Sequence, residues 1–181
     1  SFVAEHRNVS VTLNLNDRVV DLIGEGVDVA IRIAALSDSN LVGTKLADNQ
    51  RVVVAAPAYL KRHGTPRKPA DLLKHNCLLL SGFSRLSQWP MRDGGAPIMI
   101  AARGNITSDN AEFLLDLALA GTGIVRLGHF LGAAALAKGQ LVSLLSDCHD
   151  DDPQPIVALI LPGRQSIPRF RAFIDFLKTR L

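Results

Sequence analysis

Three consecutive polar residues, Ser108, Asp109 and Asn110, stand directly before an apolar run with helical spacing: Phe113, Leu114, Leu117, Ala118 and Gly121. A hydroxyl, a carboxylate and an amide at a helix start meet backbone N–H groups that have no intrahelical partner, together with a partial positive charge. Such an end suits a small polar ligand, an anionic one above all. The same residues also serve as an ordinary cap, with Asp109 as N-cap and Glu112 three residues later completing a looser capping box. A carboxylate at Asp109 would occupy some of those N–H groups, which weighs against a bare anion site. Gly121 and Gly123 end the helix, because glycine accepts positive φ without a Cβ clash. Ile124, Val125 and Leu127 then resume as a strand. Arg32 is the second candidate. It closes the apolar strand expected over 27–33, and an arginine at a strand's carboxyl end can grip a carboxylate through two parallel hydrogen bonds.

Other chemistry finds no support in the spacing. His6, His63, His75, His129 and His149 share no metal-binding interval, and Cys77 and Cys148 lie far apart. The two cysteines read as reduced thiols. A Gly-x-Ser-x-Gly elbow and a phosphate-cradling glycine loop are both missing, and Gly121-Thr122-Gly123 is too short for a dinucleotide fingerprint. Asp150 to Asp152 read as a solvated turn. Nothing assembles a nucleophile, a base and an oxyanion site. The sequence therefore reads as a binding module without metal or cofactor, not as an enzyme.

Composition agrees. In 181 residues, 48% are apolar and 20% charged, enough for a real core in one large domain or two small lobes. Twenty basic against seventeen acidic residues leave +3, too little and too evenly spread for a nucleic-acid surface. No apolar run is long enough to span a membrane. The chain opens without Met in the middle of an apparent element, so it reads as a piece of a longer protein and the lack of a signal peptide says little.

The elements that must position the candidates follow in order. Ser1 to Arg7 reads as the tail of a helix, with Phe2 and Val3 on its apolar side. Val9, Val11, Leu13 and Leu15 alternate with polar residues, which predicts a half-buried strand. Asp17 caps a short helix that Gly26 closes, and 27–33 is a second strand, giving a right-handed parallel crossover. The run 51–56 is a continuous apolar strand. Pro57 opens a helix that Gly64 ends, 70–74 is a helical turn, and 77–80 is a strand. Residues 81–95 read as irregular, with Trp89 packed under a loop or lining a cleft. Strands are predicted at 97–102, 141–145 and 156–161, and a helix at 130–138. Residues 146–155 read as an acidic linker too polar to pack. Pro168 opens a final helix carrying a stripe of Phe170, Phe173, Ile174, Leu177 and Leu181.

Four separated stretches, 15–33 (LNDRVVDLIGEGVDVAIRI), 51–78 (RVVVAAPAYLKRHGTPRKPADLLKHNCL), 108–127 (SDNAEFLLDLALAGTGIVRL) and 168–177 (PRFRAFIDFL), resemble in order and spacing the effector-binding domain of LysR-type transcriptional regulators. The resemblance covers nearly the whole chain. It implies an α/β fold of two Rossmann-like lobes joined by two crossover strands, similar to type 2 periplasmic binding proteins. Carried onto this chain, lobe I would take 1–54 and 159–181, and lobe II 55–158. The effector would lie between the lobes, against Arg32, Ile33, Ala34 and Leu36 of the first. In the second it would meet Ser81, Ser108, Asp109, Asn110, Gly123, Arg126 and Leu127. Arg126 departs from the apolar residue usual there: facing the pocket it would favour an acidic effector, and facing outward it would say nothing. The family's domain normally begins with a further strand and a hydroxyl-bearing loop, which precede the point where this sequence starts. The winged helix-turn-helix head is likewise outside it, so DNA would be contacted only through that segment. The implied partners are a small-molecule effector, with a carboxylate as the type Arg32 would suit, and copies of the same domain in a homodimer or homotetramer. The implied setting is cytoplasmic, with no membrane. The rival expectations are a solute-binding protein for transport on the same fold, and an enzyme on a related one.

Overall fold

Alternation along a few short strands sets the core. In Arg51–Ala55 (β3), Val53 and Ala55 face one side of a sheet and Val54 the other. In Ile124–Gly128 (β8), Ile124 falls on the first side, Val125 and Leu127 on the second. A strand covered on both faces reads as a continuous apolar run. The computed structural model describes residues 1–15, 21–33, 40–81, 87–149 and 153–180. It divides into Ser1–Asn49 with Gln154–Leu181, and Gln50–Pro153.

The first unit holds a three-stranded sheet in the order Val29–Ile33 (β1), Gln154–Ile160 (β10), Val42–Asn49 (β2). Both pairings are antiparallel. Helix α5 (Pro168–Lys178) takes Pro168 at its first turn, where the missing N–H costs nothing, and buries Phe170 and Ile174. Ile174 packs with Ala158 and Ile160 of β10. The short helix α1 (Phe2–Glu5) buries Phe2 against Phe173 and Phe176, with ring centroids 5.1 and 5.4 Å apart. Val3 is exposed, contrary to its expected place on the apolar side. The expected strand over Val9–Leu15 is not formed, and Leu13 and Leu15 are 70% and 91% exposed. Alternation specifies which face would be buried. A ladder also needs a neighbouring backbone, and among the described residues β1 pairs only with β10. The parallel crossover therefore does not appear there. The cap at Asp17 lies outside the described residues, and 22–26 form turns.

The second unit holds a five-stranded sheet ordered Thr107–Ser108 (β7), Cys77–Leu80 (β4), β8, β3, Val142–Ser143 (β9). β4 runs parallel to β7 and β8, whereas β3 is antiparallel to β8 and β9. Helix α2 (Pro57–His63) and a 3₁₀ turn (Pro69–Lys74) cover one face with Tyr59 and Leu72. Helices α3 (Ala111–Leu119) and α4 (His129–Ala137) cover the other with Leu114, Ala118 and Ala135. Phe113, expected on the buried stripe of α3, is 51% exposed.

The stretch read as irregular contains a hairpin, Gln88–Asp93 (β5) with Ala96–Ala101 (β6). Gly94 and Gly95 turn it with φ of 57° and 87°, the left-handed pair that a two-residue hairpin turn requires. Trp89 and Met91 point from β5 into the core, 1% and 0% exposed.

At Gly104 and Gly123 the sequence must be glycine for want of space. A Cβ on Gly104 would sit 1.9 Å from the Cys77 carbonyl oxygen, and one on Gly123 would sit 2.5 Å from that of Asn76. Backbone cannot give way as a side-chain tip can. Gly123→Ala is expected to lower unfolding free energy by about 1–3 kcal/mol, the usual cost of overpacking, in urea denaturation. Gly139→Ala, with φ of 68° but open space around it, is the comparison for backbone strain alone.

Candidate functional site

Parallel strands bring their carboxyl ends to one edge, and here that edge gathers four of the candidates. Leu80 pairs with Ser108 between β4 and β7, and Ser81 N–H donates to the Ser108 carbonyl at 2.8 Å. Ser81, Ser108, Asp109 and Asn110 are thus contiguous, immediately before α3. The cap is Asn110, one residue later than expected. Its Oδ1 accepts from Phe113 N–H at 2.8 Å, while its own N–H donates to Ser108 Oγ at 3.1 Å. An amide cap leaves Asp109 exposed and outside the helix turn. The Asp109 carboxylate is therefore not the cap, although Glu112 stands in the first turn of the helix. The N–H groups of Ala111 and Glu112 precede the first intrahelical bond and remain available to a ligand. Gly121 closes the helix with φ of 74°, and its carbonyl accepts from Arg62.

The remaining candidates of this unit sit apart. Gly123 lies at the other end of β8, wedged against Asn76 and Leu78. Leu127 is 4% exposed and packs in the core under α3 and α4. Arg126 is half-buried on the opposite face of β8, and its Nε donates to His149 Nε2 at 2.8 Å. Sequence reasoning missed this contact, because 146–155 read as too polar to pack. His149 also bridges Met91, and Arg92 N–H donates to Cys148 O at 2.6 Å, so the stretch is joined to the hairpin. Leu145, at its start, has φ of 53°, a left-handed conformation that costs a leucine roughly 1–2 kcal/mol. A surface pocket of about 280 Å³ lies alongside, lined by Arg51, Ser143, Ser146, His149 and neighbours.

In the first unit, Arg32 alternates with Ile31 and Ile33, which are 43% and 40% exposed, and it pairs across β1 with Val157. Ala34 and Leu36 lie outside the described residues.

The titrations that shift belong to another corner. Burial pushes the Cys77 thiol up to about 11, with a backbone hydrogen bond from Arg103 working the other way. Tyr59 is raised by burial, and its hydroxyl accepts from Asn76 N–H at 3.0 Å. His75, bonded to that hydroxyl at 3.2 Å, is held below its ordinary value by burial and then by His63. A depressed histidine favours folding while neutral, so this contribution is lost as pH falls. Among the described residues no cluster of three or more His, Cys, Asp or Glu could hold a metal, and no helix is long and apolar enough to cross a membrane.

Comparison with known proteins agrees across the whole length. The family model described as the LysR substrate binding domain matches residues 1–181. The transcriptional regulator CrgA of Neisseria meningitidis serogroup B is 33% identical over 181 residues, covering 99% of this chain and 60% of its own length. The regulator PtxR of Pseudomonas aeruginosa is 32% identical over 185 residues, covering 100% and 58%. The solved regulatory domain of CrgA superposes with a TM-score of 0.90 at 33% identity, over 99% of this chain and 88% of that one. Full-length AphB of Vibrio cholerae, at 24% identity and a TM-score of 0.81 over 99% of this chain and 60% of its own, shares the fold. The chain spans about 60% of the length of the curated relatives it matches.

Two outcomes follow from this geometry. Asn110→Ala should lower stability by about 1 kcal/mol, the typical worth of an N-cap, while Asp109→Ala leaves it unchanged in thermal unfolding. Thiol titration of the native chain should count one reactive cysteine, half-buried Cys148, with Cys77 reacting only after denaturation.

Proposed function

This chain belongs to the LysR substrate-binding domain family, and we propose that it senses a small-molecule effector on behalf of a longer, DNA-binding transcriptional regulator. It has the α/β, two-lobe fold of the periplasmic-binding-protein type that LysR regulatory domains share. The observation that carries the reading is the meeting of Ser81, Ser108 and Asn110 at the carboxyl ends of β4 and β7, directly before a nine-residue helix. Hydroxyls and open N–H groups at a helix start recognise a small anion by hydrogen bonding and by the helix dipole, with no reaction needed. Arg32 of the first unit is the second proposed contact, and its fork suits a carboxylate. A small carboxylate is therefore the proposed effector class.

The remaining roles are proposals for the whole protein. The effector biases one arrangement of the regulatory domain over another. Moving such a balance from 1:99 to 99:1 takes a preference of roughly 5.5 kcal/mol, of which charge-assisted hydrogen bonds supply about 1.5–3 kcal/mol each. The bias passes through a homodimer or homotetramer to a winged helix-turn-helix segment in the longer chain. We place the protein in the cytoplasm, where its DNA would be, and assign it no turnover.

A thermal-shift screen of small carboxylates and aromatic metabolites tests the reading, because a ligand that binds only the native form raises its melting temperature. The expected result is a saturable rise that Arg32→Ala and Ser108→Ala each reduce, without lowering the melting temperature of the free chain. A full rise in both variants would place the effector elsewhere.

A further inference from the structure

We propose that the Arg126–His149 contact is a proton-operated latch that holds the turn at 144–149 in its strained conformation. The contact is independent of the proposed effector site. Its chemistry is fixed by the donor. A guanidinium carries only N–H groups, so at 2.8 Å His149 Nε2 must present a lone pair to Arg126 Nε. The imidazole is therefore neutral in this arrangement, with its proton on Nδ1. Once protonated at Nε2 it has nothing to offer the guanidinium, and donor faces donor.

What the latch holds is a segment that local preference would not choose. Leu145 is the one non-glycine residue with positive φ among those described. The turn around it is tied down on every side. Leu144 N–H donates to Val53 O at 2.8 Å, Cys148 and His149 N–H both donate to Leu145 O at 2.9 and 2.8 Å, and Arg92 N–H donates to Cys148 O at 2.6 Å. His149 supplies one side-chain tie, and the Ser143 and Ser146 hydroxyls, 2.9 Å apart, supply another. Strained backbone persists only where its surroundings over-determine it, and such places recur at switches.

The charges around His149 come from several elements. Arg126 lies on β8, Arg51 on β3 lines the same pocket, and Arg92 on β5 directs its guanidinium to Gly95 O at 3.4 Å. Asp147 and Cys148 share the turn, and Asp150, Asp151 and Asp152 follow in sequence, outside the described residues.

Hydrogen exchange of the native chain, corrected for the intrinsic pH dependence of exchange, tests the latch between about pH 8 and about pH 5, where an imidazole changes charge. Protection of the Cys148 and His149 amides should fall by roughly tenfold or more on acidification, as expected for losing one hydrogen bond to a charged group. His149→Gln keeps an acceptor that does not titrate, and should stay protected at both ends. Arg126→Leu removes the donor and should be weakly protected at both. A wild-type chain whose protection does not change, or a His149→Gln chain that loses protection as the wild type does, would overturn the proposal.

Discussion

Four hydrogen bonds converge on Asn76, and the second unit is built outward from them. Its N–H donates to Tyr59 Oη at 3.0 Å and its Nδ2 to Thr122 O at 2.9 Å, while its Oδ1 accepts from Asn105 N–H at 3.0 Å and its carbonyl from Ile124 N–H at 2.9 Å. Helix α2, the entry to β8 and the approach to β7 are thereby fixed to the start of β4. Gly104 and Gly123 admit this closeness because neither brings a Cβ. The consequence appears at the far end of the same strand. Register in a sheet has period two, and a slip of one residue would turn every side chain to the other face. Locking β4 at Asn76 is what delivers Ser81 beside Ser108 at the carboxyl edge, with Leu79 and Leu80 held opposite Thr107 and Ser108 on the way.

That division of labour also explains the electrostatics. Tyr59, His75 and Cys77 titrate away from their usual ranges because they are buried where the strands begin. Perturbed groups often mark active sites. Here each has a structural partner and a packing role, and none lies among the candidate binding residues. At the opposite edge the groups on offer are hydroxyls, an amide, the exposed Asp109 carboxylate and backbone N–H, all able to hydrogen-bond a ligand.

The sequence disclosed those features whose cause is local. Pro57 with Gly64, Pro168 with its apolar stripe, and Gly121 after α3 were readable because a fixed φ, an absent N–H or a left-handed turn acts within a few residues. The cap of α3 was legible to within one position, since Ser, Asp and Asn all serve and only geometry selects Asn110. Non-local pairing was not legible. Val9–Leu15 has the alternation of a strand, yet pairs with no strand among the described residues, and Val11, Leu13 and Leu15 remain exposed. The orientation of Arg126 stayed open in the sequence because one partner, His149, lies 23 residues away in a stretch judged too polar to pack. The hairpin around Gly94 and Gly95 was a missed signal that the sequence did contain, a glycine pair between two runs of strand length. Family resemblance, by contrast, reached the fold class directly, because motifs separated along the chain agreed in order.

If recognition is the work of this chain, nuclear magnetic resonance titration with small carboxylates should find a ligand that moves the amide signals of Ser81, Ser108, Ala111 and Glu112 together with Arg32 Nε–H, saturably and at one dissociation constant. The ligand should be recovered chemically unchanged. A carboxylate that saturates the protein while leaving those signals still, or that comes away as a different compound, would contradict the reading of this chain as a sensor.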